Sequence, residues 1–428
     1  MKPIIKSILD TDAYKLHMQQ AVFHFYPTIH VVYEFQCRSS ENKLGDAADA
    51  IREQVDLMRH IALTDDEYAY LSTKRYLKKD YLDWLREYRF KPDQVIIDAV
   101  PKTRCNRETN TTYRELAITI KGPWVETILW EVPLLAIVCE VVHSKRTQHI
   151  GAAEAVEHLN AKLDKLFATY VNGELDMFRV TDFGTRRRYS FDVQEAIVRT
   201  LQSHPSFGRN FSGTSNYHLA MKLGLPAVGT QAHEWFQAHQ QLSPVLRDFQ
   251  RVALKQWLLE YPQDLHIALT DCISMDGFLG DFDADLAQAY VGLRHDSGNP
   301  YVWGRKAIEH YKRFNIDPKL KTLVFSDSLD LERAAKLHCT FAQESNVMCG
   351  IGTQLTCSIP GVQPLSIVIK MTECDGKPVA KISDEPEKTT FRDLDYVQLL
   401  GRTFNVELQD MIDAGCGRSA VHHPTQVQ

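Results

Sequence analysis

Three strings in this chain carry residues that suit phosphate and acid–base chemistry. They are Asp182-Phe183-Gly184-Thr185-Arg186-Arg187-Arg188, Arg294-His295-Asp296-Ser297-Gly298 and Gly350-Ile351-Gly352-Thr353. Guanidinium groups grip phosphate through two parallel hydrogen bonds and keep their charge when desolvated. A glycine-rich turn at a strand end leaves backbone N–H groups free to wrap a phosphate, and Thr353 would add a hydroxyl donor. Arg294 and Asp296, two residues apart, share one side if strand periodicity persists. A fourth string, Thr230-Gln231-Ala232-His233-Glu234, places an imidazole that can act as acid, base or phosphoryl acceptor. Together they suit an anionic, phosphate-bearing substrate and a divalent metal.

Each string also has a plainer reading. An arginine triplet suits a solvated turn, Arg294 and Asp296 a surface ion pair, a lone histidine the core, and two glycines a simple turn. Tyr14, inside Leu9-Asp10-Thr11-Asp12-Ala13-Tyr14-Lys15, reads on composition as a packed helix aromatic. Some chemistry is excluded by spacing. His233 and His239 are six residues apart, whereas a zinc-binding helix needs histidines four apart. The glycine turn lacks the Gly-Lys-Ser/Thr close of a P-loop and is no dinucleotide fingerprint.

What would bring these strings together is a run of β-α units. After about residue 175, short apolar runs end in small or polar clusters: Phe178–Asp182, Pro226–Thr230, His266–Asp271, Tyr290–Arg294, Thr322–Asp327 and Asn346–Gly352. Amphipathic segments at 192–201, 234–259, 275–289, 304–314 and 329–337 separate them. Nearly continuous apolar strands imply burial on both faces, hence a parallel sheet, and in such sheets function gathers at the strands' carboxyl ends. The length of the run favours a barrel over an open doubly wound sheet. The first 140 residues look mixed: a helix over 10–25, a strand over 31–37, helical spacing over 46–63, a strand over 111–120 and an apolar helix over 124–142. Near the end, two strands flank Asp375-Gly376 as a short hairpin, a helix covers 394–400, and residues 419–428 read as a disordered tail.

The chain has 428 residues, enough for two domains, and 44% hydrophobic residues, enough for a large core. With 49 Lys plus Arg against 55 Asp plus Glu, the net charge of −6 excludes a general cationic surface for nucleic acid. No apolar run reaches the roughly 18–20 residues of a membrane-spanning helix, and the N-terminus does not read as a signal peptide. Nine cysteines without Cys-x-x-Cys spacing suggest reduced thiols in a cytoplasmic protein.

In series, these strings resemble the nicotinate phosphoribosyltransferases, within the type II phosphoribosyltransferases. The resemblance runs from Ser7–Lys15 through Phe183–Arg188, Gly229–Glu234 and Leu293–Gly298 to Gly376–Lys381. It implies an irregular β/α barrel over 141–364, and a second α/β domain over 1–140 completed by 365–428. The implied reaction transfers phosphoribose from phosphoribosyl pyrophosphate to nicotinate, coupled to ATP hydrolysis through a phosphohistidine, with Mg²⁺. By motif position His233 would be phosphorylated, Tyr14 and Phe183 would sandwich the pyridine ring, and Arg186 and Arg294 would hold anionic groups. Asp296 would face the ribose or its magnesium, Gly352 and Thr353 the 5′-phosphate, and Thr230 the nicotinate carboxylate. Nicotinamide-using relatives carry Asp after a Gly-Thr pair; Ser215 follows Gly213-Thr214 here and favours the acid. Asn299 follows Ser297-Gly298 where the family usually shows Asp. Alternatives are a nicotinamide-using enzyme, or a metal-dependent phosphate-ester or nucleoside hydrolase on the same barrel. The resemblance implies a monomer or a homodimer. The whole reading requires that segments from Tyr14 to Thr353 converge on one cleft.

Overall fold

Alternation of apolar and polar residues decides the first sheet. In β1 (His30–Cys37), Val31, Tyr33 and Phe35 are buried while their neighbours are not. Strand β1 pairs antiparallel with β3 (Asn110–Pro123), which pairs with β2 (Val95–Cys105). On its other side β1 pairs with β10 (Ile367–Cys374), which turns back into β11 (Lys377–Pro378). The order β11-β10-β1-β3-β2 thus joins the two ends of the chain. Asp375 and Gly376 both have positive φ, 51° and 71°, as a two-residue hairpin turn of mirror-image type requires. The computed structural model describes residues 2–38, 42–105, 110–146, 151–171 and 173–408. The expected tail over 419–428 lies outside them.

The second sheet is parallel throughout, in the order β5 (Phe211–Thr214), β4 (Val180–Asp182), β9 (Asn346–Ile351), β8 (Thr322–Phe325), β7 (Gly292–His295), β6 (Ile267–Leu269). The strands are short and largely buried, as helices on the outside and a filled interior demand. Between its outer strands lies the segment 226–231. Ala227 bridges to Thr214 of β5, and the Thr230 hydroxyl and Gln231 amide donate to the Ile267 carbonyl of β6 at 3.0 and 3.3 Å. The result is an irregular β/α barrel. Its rim of carboxyl ends carries Asp182, Thr214, Asp271, His295-Asp296 and Ile351-Gly352.

Three sequence expectations change. The segment Pro226–Thr230 makes a single bridge instead of a strand, because it threads against another element. A Cβ on Gly229 would lie 3.0 Å from the Tyr14 backbone nitrogen, so the loop and the helix Ala13–Phe25 touch through glycine. The long helix over 234–259 is two helices, His233–Leu242 and Phe249–Glu260, parted at Ser243-Pro244, where proline cannot continue the ladder. The helix over 275–289 is likewise Met275–Leu279 and Ala284–Ala289, the second capped by Asp283. Among the described residues no helix is long and apolar enough to cross a membrane.

Helix Ala13–Phe25 is buried along nearly its whole length, and so brings Tyr14 and Lys15 into the interior beside the barrel rim. Helix His233–Leu242 packs on β10. A C-terminal strand therefore faces the same cleft as the barrel.

Candidate active site

One cleft is lined by Tyr14, Glu131, Arg186, His233, Glu234, Gln237, Arg294, Asp296 and Lys370, among others. Residues far apart in the chain, from Tyr14 to Lys370, converge there, without Thr353.

His233 opens its helix directly after the extended Ala232, so the imidazole projects from the rim. Its Nε2 lies 2.8 Å from Asp271 Oδ1, just beyond β6. Asp271 Oδ2 accepts from Ser297 Oγ and from Lys381 Nζ, both at 2.6 Å. Burial works to raise the Asp271 carboxyl, but Lys381 and His233 override it and hold it well below the usual carboxylate range. An ionised Asp271 can only accept, so His233 Nε2 carries the hydrogen and Nδ1 carries the lone pair. Burial and the Lys381 ammonium push His233 down to about 4 against the pull of Asp271. At neutral pH the ring is a neutral nucleophile in a fixed tautomer.

Asp296 Oδ2 stands 3.8 Å from His233 Nε2 and 3.9 Å from Arg294 Nη2, while Oδ1 accepts from Ser326 Oγ at 3.1 Å. Burial would raise this carboxyl; the Arg294 guanidinium overrides it and holds it at about 2. Ligand atoms of His233, Asp271 and Asp296 lie within 4.8 Å of one another, a spacing a metal could use. Asp271, however, already accepts from three donors, one of them an ammonium. Of the three, Asp296 is the residue that could hold a divalent cation, and the donor set is not a three-ligand cage. Asn299 cannot join it as it stands, since its Oδ1 caps the helix Pro300–Arg313 by accepting from Tyr301 N at 2.9 Å and Val302 N at 3.2 Å.

The arginine triplet divides its labour. Arg186 faces the cleft, with Nε 3.4 Å from Asp12 Oδ2, Nη1 3.7 Å from Glu131 Oε1 and the guanidinium 5.9 Å from the Tyr14 ring centre. Arg187 turns away and donates from Nε to the Ile367 carbonyl at 3.0 Å. Arg188 is fully buried; it grips Asp10 with two bonds of 2.6 and 2.8 Å and Glu140 with a third of 2.8 Å. It holds the fold together.

Of the residues singled out in the sequence, Tyr14, Arg186, His233, Arg294 and Asp296 line the cleft. The others do not line it. Phe183 follows β4 with its ring against Gly350, where a Cβ would come within 2.3 Å of the ring. Gly352 and Thr353 lead from β9 into the short helix Thr353–Thr356 on the same rim. The Thr230 hydroxyl is committed to Ile267. Ser215 is buried and donates to Asp12 Oδ1 at 2.6 Å, so it reaches the cleft through the carboxylate that faces Arg186. Sequence reasoning missed Glu131 and Lys370 and gave no role to Lys15, Glu234 or Lys381. Strand β10 supplies Lys370, whose ammonium is pushed down to about 7 by burial and by Lys381. Its place beside β1 in the other sheet was the signal, and no local spacing reveals it.

A parallel barrel whose rim gathers two arginines, a neutral histidine and paired carboxylates, with a lysine reaching in from the other sheet, suits an enzyme of phosphorylated, polyanionic substrates. The model of the nicotinate phosphoribosyltransferase (NAPRTase) family matches residues 178–408, and that of the family's N-terminal domain matches residues 9–139. Nicotinate phosphoribosyltransferase of Pectobacterium atrosepticum is 54% identical over 404 residues, 94% of this chain and 97% of that protein. The one from Yersinia enterocolitica is 54% identical over 406 residues, covering 95% and 97%. The crystal structure of nicotinate phosphoribosyltransferase from Vibrio cholerae is 40% identical with a TM-score of 0.87, covering 96% of this chain and 97% of its own. The chain belongs to the nicotinate phosphoribosyltransferase family.

Proposed function

We propose that this chain transfers the phosphoribosyl group of phosphoribosyl pyrophosphate to nicotinate, and that ATP drives the transfer by phosphorylating His233. The observation that carries the reading is the shared cleft, in which a neutral, tautomer-fixed histidine stands beside Asp296, Arg294 and Arg186.

Displacing pyrophosphate builds positive charge on the ribose and negative charge on the leaving group. Arg186 and Arg294 supply cations for the leaving group, and Asp296 a carboxylate for the ribose. The ring nitrogen of nicotinate carries a free lone pair near neutral pH, so no strong base is needed. Tyr14 offers a flat face for the pyridine, beside the guanidinium of Arg186 for its carboxylate. Magnesium, anchored by Asp296, would neutralise charge on the phosphates when bound. A phosphoryl on His233 Nδ1 would add negative charge to the cleft and draw the metal–phosphate substrate into it. With seven free cysteines among the described residues, a reducing, cytoplasmic setting suits the chain.

The test is labelled nicotinate with phosphoribosyl pyrophosphate and Mg²⁺, with and without ATP. Nicotinate mononucleotide should form and ATP should raise its yield. Phosphate or free base released without mononucleotide would instead mark a hydrolase, and a preference for nicotinamide would refute the acid assignment.

A further inference from the structure

The cleft contains a buried carboxylate that the transfer reaction does not use. Glu234 follows His233 directly and lines the same cleft. Its Oε2 accepts from Lys15 Nζ at 2.7 Å, and the same ammonium donates to Glu131 Oε2 at 2.6 Å. Lys15 is wholly buried, so one ammonium answers two buried carboxylates and the cluster carries one surplus negative charge. Glu131 has a second cation, Arg186 Nη1 at 3.7 Å. Glu234 has only Lys370 besides, an ammonium that burial and Lys381 push down to about 7, and among the described residues its Oε1 has no hydrogen-bond partner. The surplus charge therefore sits at Glu234. A buried carboxyl with one oxygen unbonded is the group most ready to protonate when negative charge arrives.

The charged and titratable groups around it are Lys15 and Tyr14 on their helix, Glu131, Arg186, Lys370 on β10, Tyr33 on β1 and His233 itself. Burial, with Glu131 adding to it against the pull of Lys15, lifts Glu234 to about 7 even before any phosphoryl is present.

We propose that Glu234 takes up a proton when His233 is phosphorylated and returns it when the phosphoryl is lost. The inference rests on the phosphohistidine reading above. In the forward step the Nδ1 lone pair forms the N–P bond. The bond from the γ-phosphorus to the β–γ bridging oxygen breaks, its electron pair leaving on ADP. The hydrogen stays on Nε2, donated to Asp271, so the ring becomes cationic as the phosphoryl dianion forms, and a proton from bulk solvent adds to Glu234 Oε1. On hydrolysis, water attacks phosphorus, the N–P pair returns to Nδ1, phosphate departs and Glu234 releases its proton. Glu234 touches no reacting atom; it positions charge. Without it, the net negative charge of the phosphorylated ring would have to form in a cleft that already holds a carboxylate sharing its ammonium with Glu131.

The experiment mixes the enzyme with γ-labelled ATP and Mg²⁺ slightly above neutral pH, in weak buffer with a pH indicator, and counts protons taken up per phosphohistidine formed. Wild type should take up a fraction of a proton that E234Q lacks. Its phosphoenzyme level should fall by up to about tenfold per pH unit above neutral, and that of E234Q less steeply. Equal uptake and equal slopes in both would overturn the inference. Should E234Q fail to fold or to be labelled, difference infrared spectra of wild type decide: a carboxylic-acid C=O band should appear with phosphorylation, and its absence overturns the proposal. No label on wild-type His233 would sink the phosphohistidine reading and this inference with it. Label without proton uptake sinks this inference alone.

Discussion

His233 Nε2 and Asp271 Oδ1 stand 2.8 Å apart, and that contact fixes which ring nitrogen can react. Asp271 is held ionised chiefly by Lys381, so the hydrogen lies on Nε2 and the lone pair on Nδ1. Asp271→Asn keeps the shape but can present an amide N–H to Nε2, which would favour the other tautomer. Phosphoenzyme formation from labelled ATP should slow by roughly 10²–10⁴-fold when measured on enzyme still folded, since Lys381 also loses its buried carboxylate.

Acid should not silence this histidine where it silences an ordinary one. Burial and Lys381 hold His233 at about 4. The reactive neutral ring is present above that value and is lost only as pH falls through it. Initial rates of phosphoenzyme formation should therefore show no loss from imidazole protonation between about pH 8 and 5, where a free histidine would titrate near 6.5. A rate that follows a group of ordinary histidine pKa would contradict this.

Arg186 and Arg188 should fail in different ways. Arg188→Ala leaves Asp10 and Glu140 buried without their cation. It should cost about 3–5 kcal/mol in denaturant unfolding. Arg186→Ala removes a half-buried guanidinium from the cleft; kcat/KM for nicotinate should drop by at least about tenfold with a small change in stability.

Ser215→Asp should lower nicotinate kcat/KM by at least about tenfold, and the structure changes the reason. A carboxylate there would meet Asp12, which now accepts the Ser215 hydroxyl at 2.6 Å. Burial already raises Asp12 against the pull of Arg186. A second acid would compete for that guanidinium, and the acid substrate should suffer more than nicotinamide.

How much of this was legible in the chain follows from the range of each interaction. The strand ends at Asp182, Asp271, Asp296 and Ile351 were readable because buried parallel strands are short apolar runs with polar stops. Strand β5 escaped notice because Phe211-Ser212-Gly213-Thr214 is barely apolar; it is a strand through its pairing with β4. Strand β2 was missed too, since Pro101, Lys102 and Thr103 mask a strand held by β3. Arg186, Arg294, His233 and Asp296 could be named from motif and position. Glu131 and Lys370 could not, because one lies on an apolar helix and the other on a strand nearly 140 residues downstream of His233. Lys381 could be quoted but not explained until Asp271 stood 2.6 Å away. Of the arginine triplet, only tertiary partners tell the cleft residue from the buried one.

The central claim is that a phosphoryl on His233 acts on substrate bound in the same cleft. Its most direct test is the KM for phosphoribosyl pyrophosphate with and without ATP, in wild type and in His233→Ala. ATP should lower KM in wild type and leave it unaltered in the variant, which should still make nicotinate mononucleotide slowly. A KM that ATP lowers equally in both proteins would contradict the account.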